Sequence, residues 1–180
     1  MSSDLPKNSL EEEFSTRYPG KNKTILLSGS LFAQIFTELL ARDAMVRFSA
    51  KGMSMWPFIK ENDILTVVPC KDDSFGLGEV VAFLDTHHNN LTVHRIVGSS
   101  RSGYMLKGDC CSAPDGIVAR RDILGRLACA ERKGKRVRLS LGRDSFIFAI
   151  LSRMGVLRPL FLFLWQCRIC VRKVQGASGE

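Results

Sequence analysis

Short apolar and alternating runs, separated by turn-forming residues, constrain the fold of this chain more than any other feature. The runs occupy residues 45–50, 64–68, 79–84, 91–97, 104–107, 117–119, 123–127 and 136–139. Alternation of apolar and polar residues over about four to eight positions is typical of a half-buried β-strand. Gly76, Gly78, Asn89 and Gly103 lie between the runs and favour turns. The sequence therefore predicts a mainly β, largely antiparallel domain.

Helical patterns flank this β region on both sides. Between residues 24 and 43, apolar side chains recur at helical spacing: Leu31, Phe32, Ile35, Phe36, Leu39 and Leu40. The segment from Ser145 to Val174 is also helical in composition, while residues 1–23 are polar and contain prolines and serines. We therefore divide the chain into a disordered arm (1–23), an amphipathic helix (24–43), a β domain (44–142) and a basic, apolar helical segment (143–180).

The charge pattern bears on partners and localisation. The formal net charge of the 180 residues is +8, and basic residues collect near 132–138 and again between Arg153 and Lys173. Such surfaces bind phosphates, nucleic acid or anionic lipid. Because the strands carry few aromatic residues and no nucleic-acid signature, we expect no nucleic-acid partner. The C-terminal helices fit either the surface of an anionic membrane or partner, or a hairpin that covers the β domain.

The termini carry neither a clear signal peptide nor a clear transmembrane span. The first residues are polar and soon reach three glutamates, unlike the basic start and apolar core of a secretory signal. A spanning helix needs about 20 mainly apolar residues. The apolar stretch from Ile25 is too short, and Arg153, Arg158 and Pro159 interrupt the later one. We therefore expect a cytoplasmic protein or one peripheral to a membrane.

The six cysteines are expected to be free thiols in a reducing compartment, since no secretory signal precedes them. Cys167 and Cys170 have the spacing of half a zinc or redox site. No second pair with regular spacing accompanies them, so two thiols on a helix is the simpler interpretation.

A serine, a histidine and a carboxylate occur in chain order within the β region. Ser54 lies in a loop that begins at a glycine, and His94 lies inside an alternating strand. A serine hydroxyl needs a base within hydrogen-bond reach and donors for the oxyanion that forms on attack. The imidazole of histidine titrates near neutral pH and suits the role of base. Asp109 and Asp115 are both candidates for the acid that orients the imidazole.

Five segments, spanning residues from about 47 to 128, resemble the boxes of the type I signal peptidase family in the family's order. They are Gly52–Pro57 with Asn62-Asp63, then Gly78–Phe83, then His94–Val97, then Lys107-Gly108-Asp109 with Asp115, and finally Leu124-Gly125-Arg126. The resemblance implies a β-ribbon, barrel-like catalytic domain of the signal peptidase and repressor type.

The resemblance also implies a function. Histidine at the position of His94 is typical of the archaeal and endoplasmic reticulum branch, so Ser54 is expected to be the nucleophile of an endopeptidase and His94 its general base. Asp115 matches the acid usually assigned to that branch, and Asp109 matches a neighbouring, supporting aspartate. The backbone N–H of Ser54 is an expected oxyanion donor. The implied substrate is a leader or signal-like peptide with small residues near the cut, and no cofactor or metal is implied.

Two positions beside these boxes carry further expectations. Asn62 stands where the family usually has glycine, and asparagine tolerates a left-handed backbone. Met55, Trp56 and Phe58 are predicted to form an apolar lip that holds an extended substrate or a membrane against Ser54. The family carries a membrane anchor, and no convincing span precedes Ser54 in this chain.

Two alternatives remain open. A self-cleaving repressor has a similar β domain, but it cuts an Ala-Gly or Cys-Gly bond before the serine, and neither dipeptide precedes Ser54. A catalytically silent β module would instead bind an extended peptide by strand addition. The joint presence of Ser54, His94 and Asp115 favours the peptidase.

Overall fold

The computed structural model describes residues 29–70, 74–85, 90–137, 145–156 and 159. Its two α-helices are α1 (Gly29–Ala41) and α2 (Ser145–Arg153), and a short 3-10 helix covers Arg120–Asp122. The strands are β1 (Val46–Ser49), β2 (Ile64–Pro69), β3 (Val80–Asp85), β4 (Asn90–Ser100), β5 (Gly103–Lys107), β6 (Gly116–Val118), β7 (Ile123–Arg132) and β8 (Lys135–Arg136). The predicted disordered arm (1–23), the Cys167/Cys170 pair and nearly all of the C-terminal segment after residue 156 lie outside the described residues.

The strands form one eight-stranded antiparallel sheet in the order β1-β2-β7-β3-β4-β5-β6, with β8 paired to β7. This confirms the prediction of a mainly β protein. The prediction of a barrel-like domain is wrong as regards closure, because β1 and β6 end the described sheet and do not pair with each other. Both edge strands are short, at 4 and 3 residues, and each pairs along one side only.

Strand β3 lies near the centre of the sheet and is buried on both faces, as an uninterrupted apolar run requires. Val80 and Ala82 join the core cluster that contains Phe36 of α1. Val81 and Phe83 point to the other face and join a second cluster with Leu106. The side chains alternate between the two clusters because successive residues of a strand point to opposite faces.

Helix α1 packs on one face of the sheet through a narrower stripe than its sequence predicts. Ala33, Phe36 and Leu40 are buried, and the Phe36 ring meets Phe48 of β1 edge-on with centroids 5.5 Å apart. The other predicted apolar positions remain partly exposed: Leu31 (44%), Ile35 (40%) and Leu39 (38%). Among the described residues, no helix is both long and apolar enough to cross a bilayer.

Helix α2 packs beside β4 and reaches the segment that contains Ser54. Phe148 meets the ring of Phe58 with centroids 4.6 Å apart. At the end of the helix, the ammonium of Lys107 donates to the carbonyl of Ser152, and Arg153 Nη1 donates to the carbonyl of Val97 at 3.3 Å. A cation at a helix C-terminus satisfies carbonyl groups that lack a partner within the helix. The described part of the C-terminal segment therefore packs on the β domain.

Candidate active site

Ser54 lies in the loop between β1 and β2, and the base of this loop is closed by two backbone hydrogen bonds. Ala50 N donates to Asp63 O at 2.8 Å, and Asn62 N donates to Ala50 O at 2.9 Å. Asn62 adopts a φ of 66°, so the predicted tolerance of asparagine for a left-handed turn is confirmed there. Gly52 also has a positive φ, at 80°. The loop therefore leaves the sheet and returns to it through defined turns.

An ion pair between Arg132 of β7 and the buried Asp63 anchors the loop to the sheet. Arg132 donates to both carboxylate oxygens of Asp63, at 2.8 and 2.7 Å, and its Nη2 also donates to the carbonyl of Phe58 at 2.9 Å. The Asp63 side chain is 2% exposed. Lys60 N donates to the same carboxylate at 2.8 Å. This bidentate contact fixes the relative orientation of Arg132 and Asp63 and also neutralises their charges.

The predicted apolar lip beside Ser54 is wrong for two of its three members. Met55 and Phe58 are 4% and 3% exposed, because they face inward and form part of the core. Trp56 is half-buried, while Met53, on the other side of Ser54, is exposed. These residues are all apolar, so the sequence does not distinguish which of them face inward. The direction of each side chain depends on the turns of the folded loop.

His94 lies on β4, opposite Val81 of β3, and only 6% of its side chain is exposed. The ring of Phe83 lies beside it, with centroids 6.0 Å apart. The imidazole is therefore held by apolar contacts on its own face of the sheet. Strand geometry alone determines this orientation, because a shift by one residue would turn the side chain to the opposite face.

Asp115 is brought to His94 by the turn between β5 and β6. Its backbone N–H donates to Leu106 O at 2.9 Å, and its Oδ2 lies 2.5 Å from His94 Nδ1. A carboxylate accepts hydrogen bonds, so this contact places the proton on Nδ1 and leaves the lone pair on Nε2. Within the described part of the chain, Nε2 is buried and has no hydrogen-bond partner. The histidine is thus oriented as a base with its acceptor atom free.

The surroundings of His94 Nε2 can be described from the position of Gly108. A Cβ built on this glycine would stand 3.0 Å from His94 Nε2, 2.7 Å from Ser54 O and 2.7 Å from Cys111 Sγ. Cys110 N donates to Ser54 O at 2.8 Å, so the 108–111 turn is bound to the Ser54 loop. The absence of a side chain at Gly108 therefore allows these groups to share one small volume.

Ser54 is half-buried. Across the described ranges, neither its hydroxyl nor its backbone N–H makes a hydrogen bond. The backbone of Ser54 is therefore near His94 Nε2, through its carbonyl beside Gly108, and its hydroxyl makes no hydrogen bond with the imidazole. Catalytic hydrogen bonds in ligand-free structures are often long or misaligned and tighten when substrate binds.

The two candidate acids have different surroundings. Asp109 pairs with Arg95 through two hydrogen bonds, from Nε at 2.9 Å and from Nη2 at 2.7 Å, and both side chains are fully buried. Arg95 Nη1 also donates to Gly78 O at 2.9 Å. Asp109 thus binds the 108–111 turn to β4, and Asp115 contacts the imidazole. Of the two carboxylates that the sequence left open, Asp115 is the one in contact with His94.

Sequence reasoning did not identify Cys111 as part of this site. Burial, followed by the nearby Asp115 and Cys110, raises the pKa of the Cys111 thiol. Cys70, Cys110, Cys111 and Cys129 are free thiols. No cluster of three or more metal-ligating side chains occurs among the described residues. No spacing rule relates residue 111 to residue 94, so the sequence contained no signal for this contact.

In comparisons with known proteins, no family model matches the chain, and the search of curated proteins finds no match.

Proposed function

We propose that this protein is a serine endopeptidase in which Ser54 is the nucleophile, His94 the general base and Asp115 the acid that orients the base. The observation that carries the proposal is the orientation of His94. Its Nδ1 is paired with a carboxylate, and its buried Nε2 is unpaired beside the Ser54 backbone. A histidine that serves structure alone usually has both ring nitrogens satisfied when it is buried.

In the proposed reaction, the Ser54 hydroxyl turns to His94 Nε2 and attacks the carbonyl carbon of an extended peptide. Nε2 takes the hydroxyl proton, and Asp115 stabilises the imidazolium that results. The same proton then passes to the leaving amine. Water, activated by His94 in turn, hydrolyses the acyl-enzyme and restores Ser54.

The backbone N–H of Ser54, which has no partner within the described ranges, suits the oxyanion that forms in this reaction. Gly52, two residues earlier, has no side chain and therefore supplies no side-chain donor. The anchoring of the loop through Asp63 and Arg132 supports a preorganised donor, which is worth more than one that must be ordered during the reaction. Loss of one oxyanion donor typically lowers kcat by about 10²–10³.

The family resemblance gives the proposal its substrate class. We propose a signal-peptidase-like catalytic domain that cuts leader or signal-like peptides with small residues near the cut. In the described sheet β1 is an edge strand that pairs along one side only, and it leads directly into the Ser54 loop. Extended peptides bind such edges through backbone hydrogen bonds.

Peptide cleavage by matched variants tests the proposal. A library of leader-like peptides with small residues at the expected cut is incubated with wild type, Ser54→Ala and His94→Ala, and products are identified by mass spectrometry. In comparable triads, removal of the serine or the histidine lowers kcat by about 10⁶. Ser102→Ala, in the exposed β4–β5 turn, is the control and should cleave like wild type. Equal cleavage by all four proteins would refute the assignment.

A second candidate function is peptide binding without cleavage. It is favoured by one observation, the missing hydrogen bond between the Ser54 hydroxyl and His94. If wild type binds a leader-like peptide by calorimetry but leaves it intact, and Ser54→Ala binds it equally, the protein is a binding module. If wild type binds and then cleaves the peptide while Ser54→Ala only binds it, the result supports the proposed peptidase function.

We also propose peripheral contact with anionic membranes through the C-terminal segment. Helix α2 and the residue that follows it expose large apolar side chains: Phe146, Ile147, Ile150 and Met154. The sequence after it adds further apolar residues together with Arg168, Arg172 and Lys173. Apolar and basic residues together favour the surface of an anionic bilayer. Full-length protein should sediment with anionic vesicles, and removal of the residues after Asp144 should abolish this; a full-length protein that stays in the supernatant would contradict the proposal.

A further inference from the structure

Cys111 is a nucleophilic side chain at the candidate site for which the proposed reaction has no use. Its Sγ lies 2.7 Å, and His94 Nε2 lies 3.0 Å, from the position that a Cβ on Gly108 would occupy. His94 Nε2 forms no hydrogen bond with any described residue, whereas the thiol of Cys111 has a hydrogen-bond contact with the backbone of Gly108. A thiol and an unpaired imidazole nitrogen that is more than nine-tenths buried therefore face the same space.

The backbone explains why Cys111, rather than its neighbour, is in this position. Cys110 uses its N–H to bind Ser54 O, and Cys111 N closes the turn by donating to Gly108 O at 3.0 Å. Cys111 remains half-buried and so is not sealed from solvent. A small reagent can therefore reach Cys111, whose Sγ borders the same position beside Gly108 as His94 Nε2.

We propose that Cys111 is a thiol-modification site, at which a small disulfide such as oxidised glutathione forms a mixed disulfide with assistance from His94. His94 Nε2 takes the proton of the Cys111 thiol, and the resulting thiolate attacks one sulfur of the reagent. The S–S bond of the reagent breaks, and its second sulfur leaves as a thiolate that is protonated by the imidazolium. The Cys111 sulfur is oxidised, and the leaving half of the disulfide is reduced.

The surroundings of the thiol explain why a base is needed. Burial and the Asp115 carboxylate raise the pKa of Cys111, so little thiolate is present at neutral pH. An acceptor in the same small volume removes this obstacle by taking the proton as the sulfur reacts. The residue is thus a poor nucleophile alone and a competent one beside His94.

Modification at this position also has a consequence for the proposed peptidase, and this part of the inference rests on the proposed function. The adduct would fill the space beside Gly108 and separate His94 Nε2 from Ser54. Peptide cleavage should therefore be lost in proportion to the modified fraction and return on reduction with a thiol reagent.

The test compares wild type with Cys111→Ala, His94→Asn and, as matched control, Cys110→Ala. Each protein is treated with oxidised glutathione, and peptide mapping by mass spectrometry locates and times the adduct. We expect the adduct on Cys111 in wild type and Cys110→Ala. The rate should be lower by at least about 10² in His94→Asn, since positioned bases contribute about 10²–10⁴. Asp115→Asn, which alters the base without removing it, should slow the reaction as well.

A readout independent of peptidase activity keeps the two proposals separate. The chain contains 3 histidines, so the imidazole NMR signals of His94 can be assigned with the His94→Asn variant. These signals should shift when Cys110→Ala is modified and stay unchanged when Cys111→Ala is treated. The inference would be overturned if Cys111 stayed unmodified, or if His94→Asn and Asp115→Asn were modified at the wild-type rate. A His94-dependent adduct in a protein that cleaves no peptide would instead refute the proposed function alone.

Discussion

Replacement of Asp115 by asparagine is the sharpest perturbation of the proposed mechanism, because it changes charge with little change in shape. Asp115 Oδ2 accepts a hydrogen bond from His94 Nδ1 at 2.5 Å. An amide can turn its NH₂ group towards Nδ1, and this would shift the proton to Nε2. Nε2 has no other partner among the described residues, so nothing there would oppose the shift. A protonated Nε2 cannot accept the proton of Ser54.

The expected magnitude follows from the exposure of the carboxylate. In a Ser-His-Asp triad with a buried acid, the same substitution lowers kcat by about 10⁴, which corresponds to about 5 kcal/mol of activation free energy. The side chain of Asp115 is 29% exposed, whereas that of His94 is 6% exposed. Water partly screens the carboxylate, so its electrostatic contribution is smaller than in a dry site. We therefore expect kcat to fall by about 10³.

The assay measures kcat and KM for one cleavable peptide with wild type and Asp115→Asn, together with the imidazole ¹⁵N shifts of His94. KM should change little, because Asp115 acts through the base and does not contact substrate in the proposed reaction. The ¹⁵N shifts should report a proton on Nδ1 in wild type and on Nε2 in the variant. The activity loss and the tautomer change are expected to occur together.

Asp122→Asn, in the 3-10 helix away from the site, is the matched control and should retain wild-type kcat. If Asp115→Asn retained more than about a tenth of the wild-type kcat while its His94 tautomer had changed, the role assigned to the histidine would be wrong. If the tautomer stayed the same and kcat fell, Asp115 would act by charge alone. Thermal unfolding of both variants excludes loss of the fold as the cause.

Three further predictions concern the residues around this triad. Asp109→Asn should lower the free energy of unfolding in urea by about 3–5 kcal/mol, because Arg95 would keep a buried charge without its counterion; an unchanged midpoint would contradict this. Gly108→Ala should abolish cleavage and lower the stability of the fold, since its Cβ would stand 2.7 Å from the backbone oxygen of Ser54 and one of the two segments must move; wild-type kcat would show that the volume beside Gly108 is not used. The modification rate of Cys111, measured in His94→Asn to remove the base, should rise with pH over a higher range than that of a cysteine peptide, because its pKa is raised. The same shift stabilises the fold below the unfolded pKa of the thiol, and this contribution is lost as pH rises through the folded pKa. A rate curve that coincides with that of the peptide would refute the prediction.

Much of the fold could be predicted because its signals are local. Each of the eight predicted runs overlaps an observed strand, and the left-handed turn at Asn62 was expected from its residue type. Closure of the sheet was not predictable in this way, because it depends on whether distant edge strands meet. Likewise, the inward turn of Met55 and Phe58 depends on the turns and packing of the loop rather than on their apolar character.

The same distinction between local signals and tertiary contacts applies to the candidate site. The sequence by itself determined which residue types were present, a loop serine, a strand histidine and two carboxylates close together in the chain, and it left the choice of acid open. The tertiary structure decided that Asp115 contacts His94, that Asp109 is held by Arg95, and that Cys111 shares the space beside Gly108. The physical reason is that residue type and alternation act over a few positions, whereas hydrogen-bonded contacts arise from strand register and from turns that bring separate segments together.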